Sequence, residues 1–541
     1  MHDSASIGEE HAIAWWDVTT FGRMETWDAV IVGSGHNALV AGALLARAGW
    51  GVLVLEERDR PGGFVRTEEL TLPGFHHDTY STAHPLFTGG PAYAELAPDL
   101  AALGLLYRQP RYWSGISMPG QGTAVFSQDL DETVAEFDRL SPGDGGALAG
   151  MLADFEPYAG PVFELMGADL ATKSREIHDL FHDEDGRFSA FAHLFTRTGR
   201  DLLTETFTSP VVRGGLAPWA LHLGRGPDEV NSALWVILVQ IALSGAGMPT
   251  PAGGSGRLAE ALVRLIEHFG GSVRTGQRVE RILVENGQAT GVRVAGGDTH
   301  RAGRAVVASV NPDQLYLELL EAVPDTIRRQ AGKYRYGRGC FQLHLALSEP
   351  PRFADERLAL AGQPHLSGGL DALSRSVNEA TRGLLPAEPT ISFDSPSTVD
   401  PERCPPGRAV ARLQLLDVPT RPIGDAAGLI ETNGWTEDVK NAFADRVIEV
   451  ASRSVLNLPD AILGMHVTSP AELAKANRNT GPGDPYGGSH DLAQSYVFRP
   501  LPAQPSHQTV VPGLWMLGAA TWPGHGVNGA SGYIVAKGLL D

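Results

Sequence analysis

The chain has 541 residues, 43% of them apolar and 20% charged, which exceeds what one hydrophobic core usually serves and excludes a disordered or membrane-embedded polypeptide. Its 43 basic against 63 acidic residues give a formal charge of −20, which disfavours nonspecific attraction to nucleic acid or anionic lipid. Cys340 and Cys404 are the only cysteines, too few for a disulfide framework and without a C-x-x-C pair, so a reducing cytoplasm is the simplest compartment.

Residues 1–27 lack the basic and apolar regions of a secretory signal. Residues 1–24 therefore read as an N-terminal extension, with Met24 as an alternative start. Asp28 to Val32 is short, β-branched and ended by glycine, as a buried parallel strand is. Asn37 to Ala48 has helical spacing, with small residues on one face, and Val52 to Leu55 forms a second strand. In such a β-α-β unit Gly33 permits the tight turn and Gly35 lets backbone approach a pyrophosphate. Ala38 is small enough for helix–sheet contact. Free N–H groups at the helix start, where Asn37 stands, hold phosphates. Glu56, at the end of the second strand, is placed to accept hydrogen bonds from an adenosine ribose and argues against a 2′-phosphate. The unit is expected to bind an adenine dinucleotide, NAD or FAD.

Arg58, Asp59, Gly62 and Gly63 follow directly, and "LPGFHHDTYSTAHP" at 72–85 adds another glycine turn and a polar strand. A second glycine loop at 62–63 brings more backbone to an extended cofactor. Further on, "ALWVILVQIAL" at 233–243 is about half of the roughly 20 residues a membrane-spanning helix needs, so 229–243 is expected as a buried helix. "PAGGSGRLAEALVRLIEHFGG" predicts an amphipathic helix with Ser255 as its cap and Gly270 just past its end. Residues 272–310 alternate around Asn286-Gly287 and Gly296-Gly297 as hairpin strands do. The alternation in "RGCFQLHLALSEPPRF" at 338–353 predicts a strand with one face on a cavity. Residues 477–500 are polar and rich in turn formers, and read as a long surface loop. The chain ends with a strand-like "LWMLG", a glycine loop and a helix from Gly529 onward. Gly526, Gly529, Ala530 and Gly532 allow backbone to approach a flat ring, and Asn528 is a helix cap.

On "GSGHNALVAGALLARAG", Glu56 with "RDRPGG", "LPGFHHDTYSTAHP" and "GLWMLGAATWPGHGVNGASGYIVAKGLL", the chain resembles the phytoene desaturase-like branch of FAD-dependent oxidoreductases. That branch includes carotenoid isomerases and retinol saturases and is related to the flavin amine oxidases. The resemblance implies an α/β fold: a Rossmann-type FAD-binding domain, with a parallel sheet and a β-meander, plus a mixed α+β substrate domain. The FAD domain would be discontinuous, built from 25–105, 245–320 and 495–541, and the substrate domain would comprise 106–244 and 321–494. By the same resemblance Gly33, Gly35, Asn37, Ala38 and Glu56 hold the ADP half of FAD, with Arg58 over the ribose, Gly62 and Gly63 near the diphosphate, and Val279 at the adenine. Gly518, Gly526, Val527 and Asn528 would close over the isoalloxazine. Amine oxidases usually carry arginine directly after the glycine pair; here Phe64 stands there, and Arg66 is the candidate replacement.

Flavin chemistry asks the protein to orient a C–H bond, exclude water and accept a proton. His84, His525 and Tyr80 are the candidate acid–base residues, with Asp78 a further one. Trp219, Trp235, Phe341 and His344 are candidates to line the substrate cavity. No G-x-S-x-G elbow, H-E-x-x-H pair or Walker loop is present, and no metal is expected. The chain is therefore read as an FAD-dependent oxidoreductase, a dehydrogenase or desaturase of an apolar small molecule. Its electron acceptor would be oxygen, a quinone or NAD, and its location cytoplasmic or peripheral to a membrane. The alternatives are an amine or amino-acid oxidase, a flavin-dependent isomerase or reductase of a polyene, and a non-catalytic flavoprotein chaperone.

Overall fold

The computed structural model describes residues 25–541, so the expected extension over 1–24, with Met24, lies outside the described residues. Two seven-stranded sheets organise the chain. In the first, Glu25–Val32 lies between Thr299–Ala308 and Val52–Leu55 in parallel register, and Ser272–Arg274 extends the parallel set beyond Val52–Leu55. These central strands are continuous apolar runs because helices cover both faces. Leu514–Met516 pairs in parallel with the end of Thr299–Ala308, while the start of that strand pairs antiparallel with Gln288–Val294. The hairpin of Val279–Glu285 and Gln288–Val294 turns at Asn286 and Gly287, with φ of 51° and 79°, the pair of left-handed residues a type I′ turn requires.

The helix His36–Arg47 follows the first strand, and its small residues bring two other helices close. On one side a Cβ at Gly42 would meet Ile266 at 3.0 Å, and Ile266 belongs to the helix Gly256–His268. On another, the C-terminal helix Ala530–Leu540 packs so tightly that a Cβ at Gly532 would fall 2.0 Å from the Asn37 carbonyl oxygen. The last helix of the chain is thus locked onto the first.

In the second sheet Ile462–Thr468, Gly339–Leu347, Ala409–Val418, Ile391–Asp394, Ala361–Leu366, Tyr112–Met118 and Gly122–Phe126 lie side by side in that order. All pairs are antiparallel except that between Ala361–Leu366 and Tyr112–Met118. One face packs Phe341, Leu343 and Leu345 against Phe443 and Val447 of the helix Glu437–Ser452. This corrects the expectation for Phe341, whose ring lies against Trp435 and Phe443 at 5.2 and 5.0 Å. The period of two in "CFQLHL" is real, but the cavity takes the other set of residues. The fold is thus α/β, a Rossmann-type sheet with its meander joined to a mixed α+β lobe.

The expected buried helix is Ser232–Ala246, apolar on all sides and packed in a cluster with Leu148, Phe155, Phe191 and Leu203 from other helices. No helix among the described residues is long and apolar enough to cross a membrane. Residues 477–500, expected as a surface loop, are instead irregular but largely buried. The segment can be buried because its polar groups are satisfied internally. Asp484 accepts the backbone N–H groups of Gly337, Tyr486 and Gly488. Arg499 donates to the carbonyls of Ala519, Ser489 and Gln494.

Candidate active site

A first chamber opens where the Rossmann strands end, between the glycine turn, Glu56 and Val279. Gly33 takes φ of +85°, which only glycine adopts without strain. Gly63 has φ of +59°, and a Cβ there would lie 3.2 Å from the Gly35 Cα. The two glycine loops therefore touch, joined also by a bridge between Gly35 and Gly62. Ser309, which the sequence reading missed, stands beside all of this; its Oγ is 3.9 Å from where Cβ atoms of Gly33 and Gly35 would be, and 3.5 Å from that of Gly518. Glu56 is buried, with Oε2 accepting Ser34 N at 3.0 Å and Ser34 Oγ at 2.5 Å, and Oε1 accepting Arg58 N at 2.9 Å. Five arginines line this chamber, Arg58, Arg60, Arg66, Arg278 and Arg478, in a protein that carries a formal charge of −20. That local inversion of charge, with the N–H groups at the start of His36–Arg47, suits a diphosphate.

Not every residue expected at the cofactor faces it. Ala38 is fully buried in helix packing. The Asn37 side chain lies between helices, its Oδ1 accepting Gly532 N and its Nδ2 reaching His36 Nε2 at 3.0 Å. Arg58 lines the chamber, and its guanidinium donates to the Lys475 carbonyl. The cap position of the last helix is Gly529 and not the expected Asn528; Asn528 stands just before it, accepting Ala530 N at 2.9 Å while its Nδ2 donates to the His525 carbonyl.

Past Gly35 and Gly63 the next residues, His36 and Phe64, belong to a second chamber of about 250 Å³. It is closed by Ala519, Gly526 and Val527 on one side and floored by Gln342, Arg412 and Gln414 of the second sheet. Phe64 packs against Tyr80 with ring centroids 4.4 Å apart and planes tilted by 42°, so the position of the missing arginine is filled by an aromatic pair. Arg66 lines the first chamber, and its positive charge opposes the upward shift that burial gives the Tyr80 hydroxyl. Arg412 is neutralised by Asp394, with Nη2 to Oδ2 at 2.7 Å, and donates to the Tyr80 carbonyl. His36 and Gly526 both line this chamber. The His36 pKa is lowered to about 4, by burial first and against the pull of the Gly526 backbone.

The second chamber joins a larger one of about 600 Å³ at Pro85, Leu86, Leu223, Val239, Ala242 and His525. Leu238, Ile241, Phe163, Met166 and Trp235 make it apolar, and Met166, Trp235 and Leu238 separate it from a further apolar cavity of about 320 Å³. No Asp or Glu lines any of these three spaces among the described residues.

The catalytic candidates divide. His525 stands where the two chambers meet, with Nε2 2.5 Å from the His222 carbonyl and Nδ1 2.9 Å from His490 Nε2. Burial lowers its pKa to about 4. Tyr80 lines the second chamber, its hydroxyl pushed up in pKa by burial. His84 does not reach either chamber's lining: it is fully buried, with Nε2 2.7 Å from Ser255 Oγ and Nδ1 3.2 Å from Tyr107 Oη. Burial lowers it to about 3, so it is a neutral structural pair for Ser255. The same contact explains why Ser255 makes no side-chain cap on its helix. Asp78 is likewise structural, accepting Ser255 N at 2.7 Å and paired with Arg403 at 3.0 Å.

Trp219 lines the second chamber and stacks on His222 at 4.7 Å, and Trp235 lines the larger one. His344 is buried between His77 and His466, away from the cavity lining, because it lies farther along its strand than Gln342. His222 was not found from sequence. Its Nε2 lies 3.0 Å from both His365 Nε2 and Ser392 Oγ, and burial holds it well below its ordinary pKa. Only its place in space marks it, since its partners lie more than 140 residues away in the chain. His36, which lies inside the glycine fingerprint, was not singled out from sequence either.

The model of the flavin containing amine oxidoreductases matches residues 39–444. The chain is 26% identical to the pyridine nucleotide-disulfide oxidoreductase domain-containing protein 2 of Rattus norvegicus, over 94% of this chain and 92% of that protein. It is also 26% identical to a neurosporene-forming phytoene desaturase of Cereibacter sphaeroides, over 93% and 92% of the two chains. Among solved structures, wild-type putrescine oxidase bound to putrescine superposes with a TM-score of 0.60 at 14% identity, covering 96% of this chain and 99% of its own, which shows the shared fold. The glycine cradle, the buried acid and the arginine-lined chamber suit the cofactor that this family carries, and the chain belongs to the flavin containing amine oxidoreductase family as an FAD-dependent oxidoreductase.

Proposed function

We propose that the protein is a dehydrogenase or desaturase of an apolar small molecule. One observation carries this reading: the path from the second chamber outward is lined mostly by apolar side chains and by no carboxylate among the described residues. An anionic partner is what most directly offsets the lost hydration of an ammonium group, and the charged group that lines the path among the described residues, Arg412, is a cation already paired with Asp394. The likeness to phytoene desaturase supports the same reading, and the likeness to putrescine oxidase rests on fold alone.

Bound FAD supplies a hydride acceptor at its N5, or a donor in the reverse direction. Gly33, Gly35, Gly63, Glu56 and Ser309 are placed to hold its ADP half, and Phe64, Tyr80, Gly526 and Val527 to enclose its ring. Leu86, Leu223, Val239 and Ala242 at the neck exclude water and orient the substrate C–H. Desaturation also releases a proton from the neighbouring carbon, and His525 and His222 are the imidazoles placed to take it up. Both are held neutral by burial, which makes them poor at keeping a proton, and His525, whose Nε2 donates to the His222 carbonyl, takes one up at Nδ1 only by giving up His490 Nε2.

The experiment is anaerobic mixing of the purified holoprotein with polyenes and other apolar compounds on one side and primary amines on the other. Loss of the oxidised flavin's visible absorbance with the apolar set is expected. Bleaching by amines and not by apolar compounds would overturn the reading.

A further inference from the structure

The floor of the second chamber is not apolar. Register across the second sheet places Thr468, Gln342, Gln414, Ser392 and His365 in one transverse row over five strands. Gln363, two residues from His365 on the same strand face, adds a third amide. Strands that elsewhere bury Leu, Val and Ile thus present glutamines at the point where the cavity meets the ring site.

These amides are poorly matched by the protein. The Nε2 groups of Gln342 and Gln414 have only the Cys340 thiol, at 3.5 and 3.8 Å, and the Gln363 side chain makes no hydrogen bond among the described residues. Gln342 is 2% exposed, yet its Oε1 has no partner. On the same chamber wall, Trp219 Nε1 is also buried without one. A buried amide or indole left unmatched costs roughly 1–3 kcal/mol, and of this row Gln342 and Gln414, with Gln363, line the chamber.

We infer that this row recognises a neutral hydroxyl group on the substrate. An unpaired acceptor on Gln342 and, directly opposite it, the Gln414 Nε2 donor with only a thiol beside it call for a group that both donates and accepts, and a hydroxyl does both. A carboxylate or ammonium head does not fit, because Arg412 is spent on Asp394 and no carboxylate lines the chamber. The substrate is then an alcohol with a long apolar body: the hydroxyl lies on the amide row and the body runs through the neck into the 600 Å³ chamber. The inference rests on the apolar-substrate reading above and narrows it.

The test uses the holoprotein with 1-dodecanol, its methyl ether and n-dodecane in detergent, because a flexible chain follows whatever path the cavity takes. Binding is read from perturbation of the bound flavin's visible spectrum, and turnover separately from anaerobic bleaching. The alcohol is expected to bind at least tenfold more tightly than the alkane, with the ether between them. Gln342→Leu should bring alcohol and alkane within twofold, leaving alkane affinity unchanged or improved. Gln414→Leu, scored for retained flavin and melting temperature, serves in the same way should Gln342→Leu lose its cofactor. Equal wild-type affinity for alcohol and alkane, no binding of any of the three, or an alcohol preference that survives in a flavin-loaded variant overturns the inference. Preferential alcohol binding without bleaching by any apolar compound would instead leave the hydroxyl site standing and refute the oxidation reading.

Discussion

Replacing Gly532 by alanine tests whether the C-terminal helix must sit against the dinucleotide helix for the cofactor to bind. The added Cβ would lie 2.0 Å from the Asn37 carbonyl oxygen and 3.2 Å from Ala41 N, where real Cβ atoms do not approach within 3.0 Å. The two helices must therefore separate by about 1 Å, and both are backbone at the contact, so no side chain can rotate away. Overpacking of this kind costs about 1–3 kcal/mol, and a backbone clash belongs at the upper end. Gly526 and Val527 precede that helix and line the ring site, so separation moves them too. If the apoprotein relaxes by letting the helix back off and FAD requires it in place, about 3 kcal/mol appears as roughly a hundredfold loss of FAD affinity. The assay is FAD titration of deflavinated protein, with a thermal melt of the loaded form. Gly150→Ala is the counterpart: Gly150 lies exposed in the helix Asp144–Met166 with nothing within 4 Å of its added Cβ. It should stabilise by about 0.5–1 kcal/mol without changing FAD affinity. If Gly532→Ala bound FAD within twofold of wild type and melted with it, the coupling of the two helices to the cofactor site would be refuted.

Two further outcomes follow from the same geometry. Glu56→Ala strands the buried Ser34 N–H that now donates to Oε2, a loss of about 1–3 kcal/mol, and FAD titration should show affinity falling about tenfold or more. Unchanged affinity would remove Glu56 from the cofactor site. The buried histidines predict acid lability. Burial lowers His36, His77 and His525 to about 4, and His84 and His365 to about 3, below the ordinary value of 6.5. The unfolded chain then binds more protons than the folded one as pH falls below 6.5. Stability is full above that value and is lost as pH drops toward 4, by about 2 kcal/mol per histidine with a folded pKa near 4 at pH 5. Melting of the holoprotein at pH 8 and pH 5 checks this, and an equal melting temperature at the two values would show that these imidazoles are not held neutral.

The Rossmann unit was legible because its signals are local. A strand, two glycines, a small helix face and an acid, all between Asp28 and Glu56, each reflect a steric or electrostatic demand that acts over neighbouring positions. The buried helix at Ser232–Ala246 was legible for a related reason, an apolar run too short to span a bilayer. The side-chain periods of the second sheet were visible also, but period two names two faces and does not say which one a helix will cover. Phe341 fell on the covered face and Gln342 on the open one. The 477–500 segment was misread because turn residues usually mark solvent, whereas here Asp484 and Arg499 supply the hydrogen bonds that water would have made.

By itself the sequence determined the dinucleotide fold, the ends of the chain that meet at the cofactor, and the kind of cofactor they enclose. Those depend on glycine conformations and charges fixed within short stretches. The tertiary structure alone decided which polar groups face the substrate. His222, His365 and Ser392, or His490 and His525, lie tens to hundreds of residues apart and meet only because two sheets and a buried irregular segment close around one cavity. It also decided that His84 pairs with Ser255 away from the lining of the two chambers, since an imidazole's chemistry is set by what surrounds it and not by the loop on which it is written.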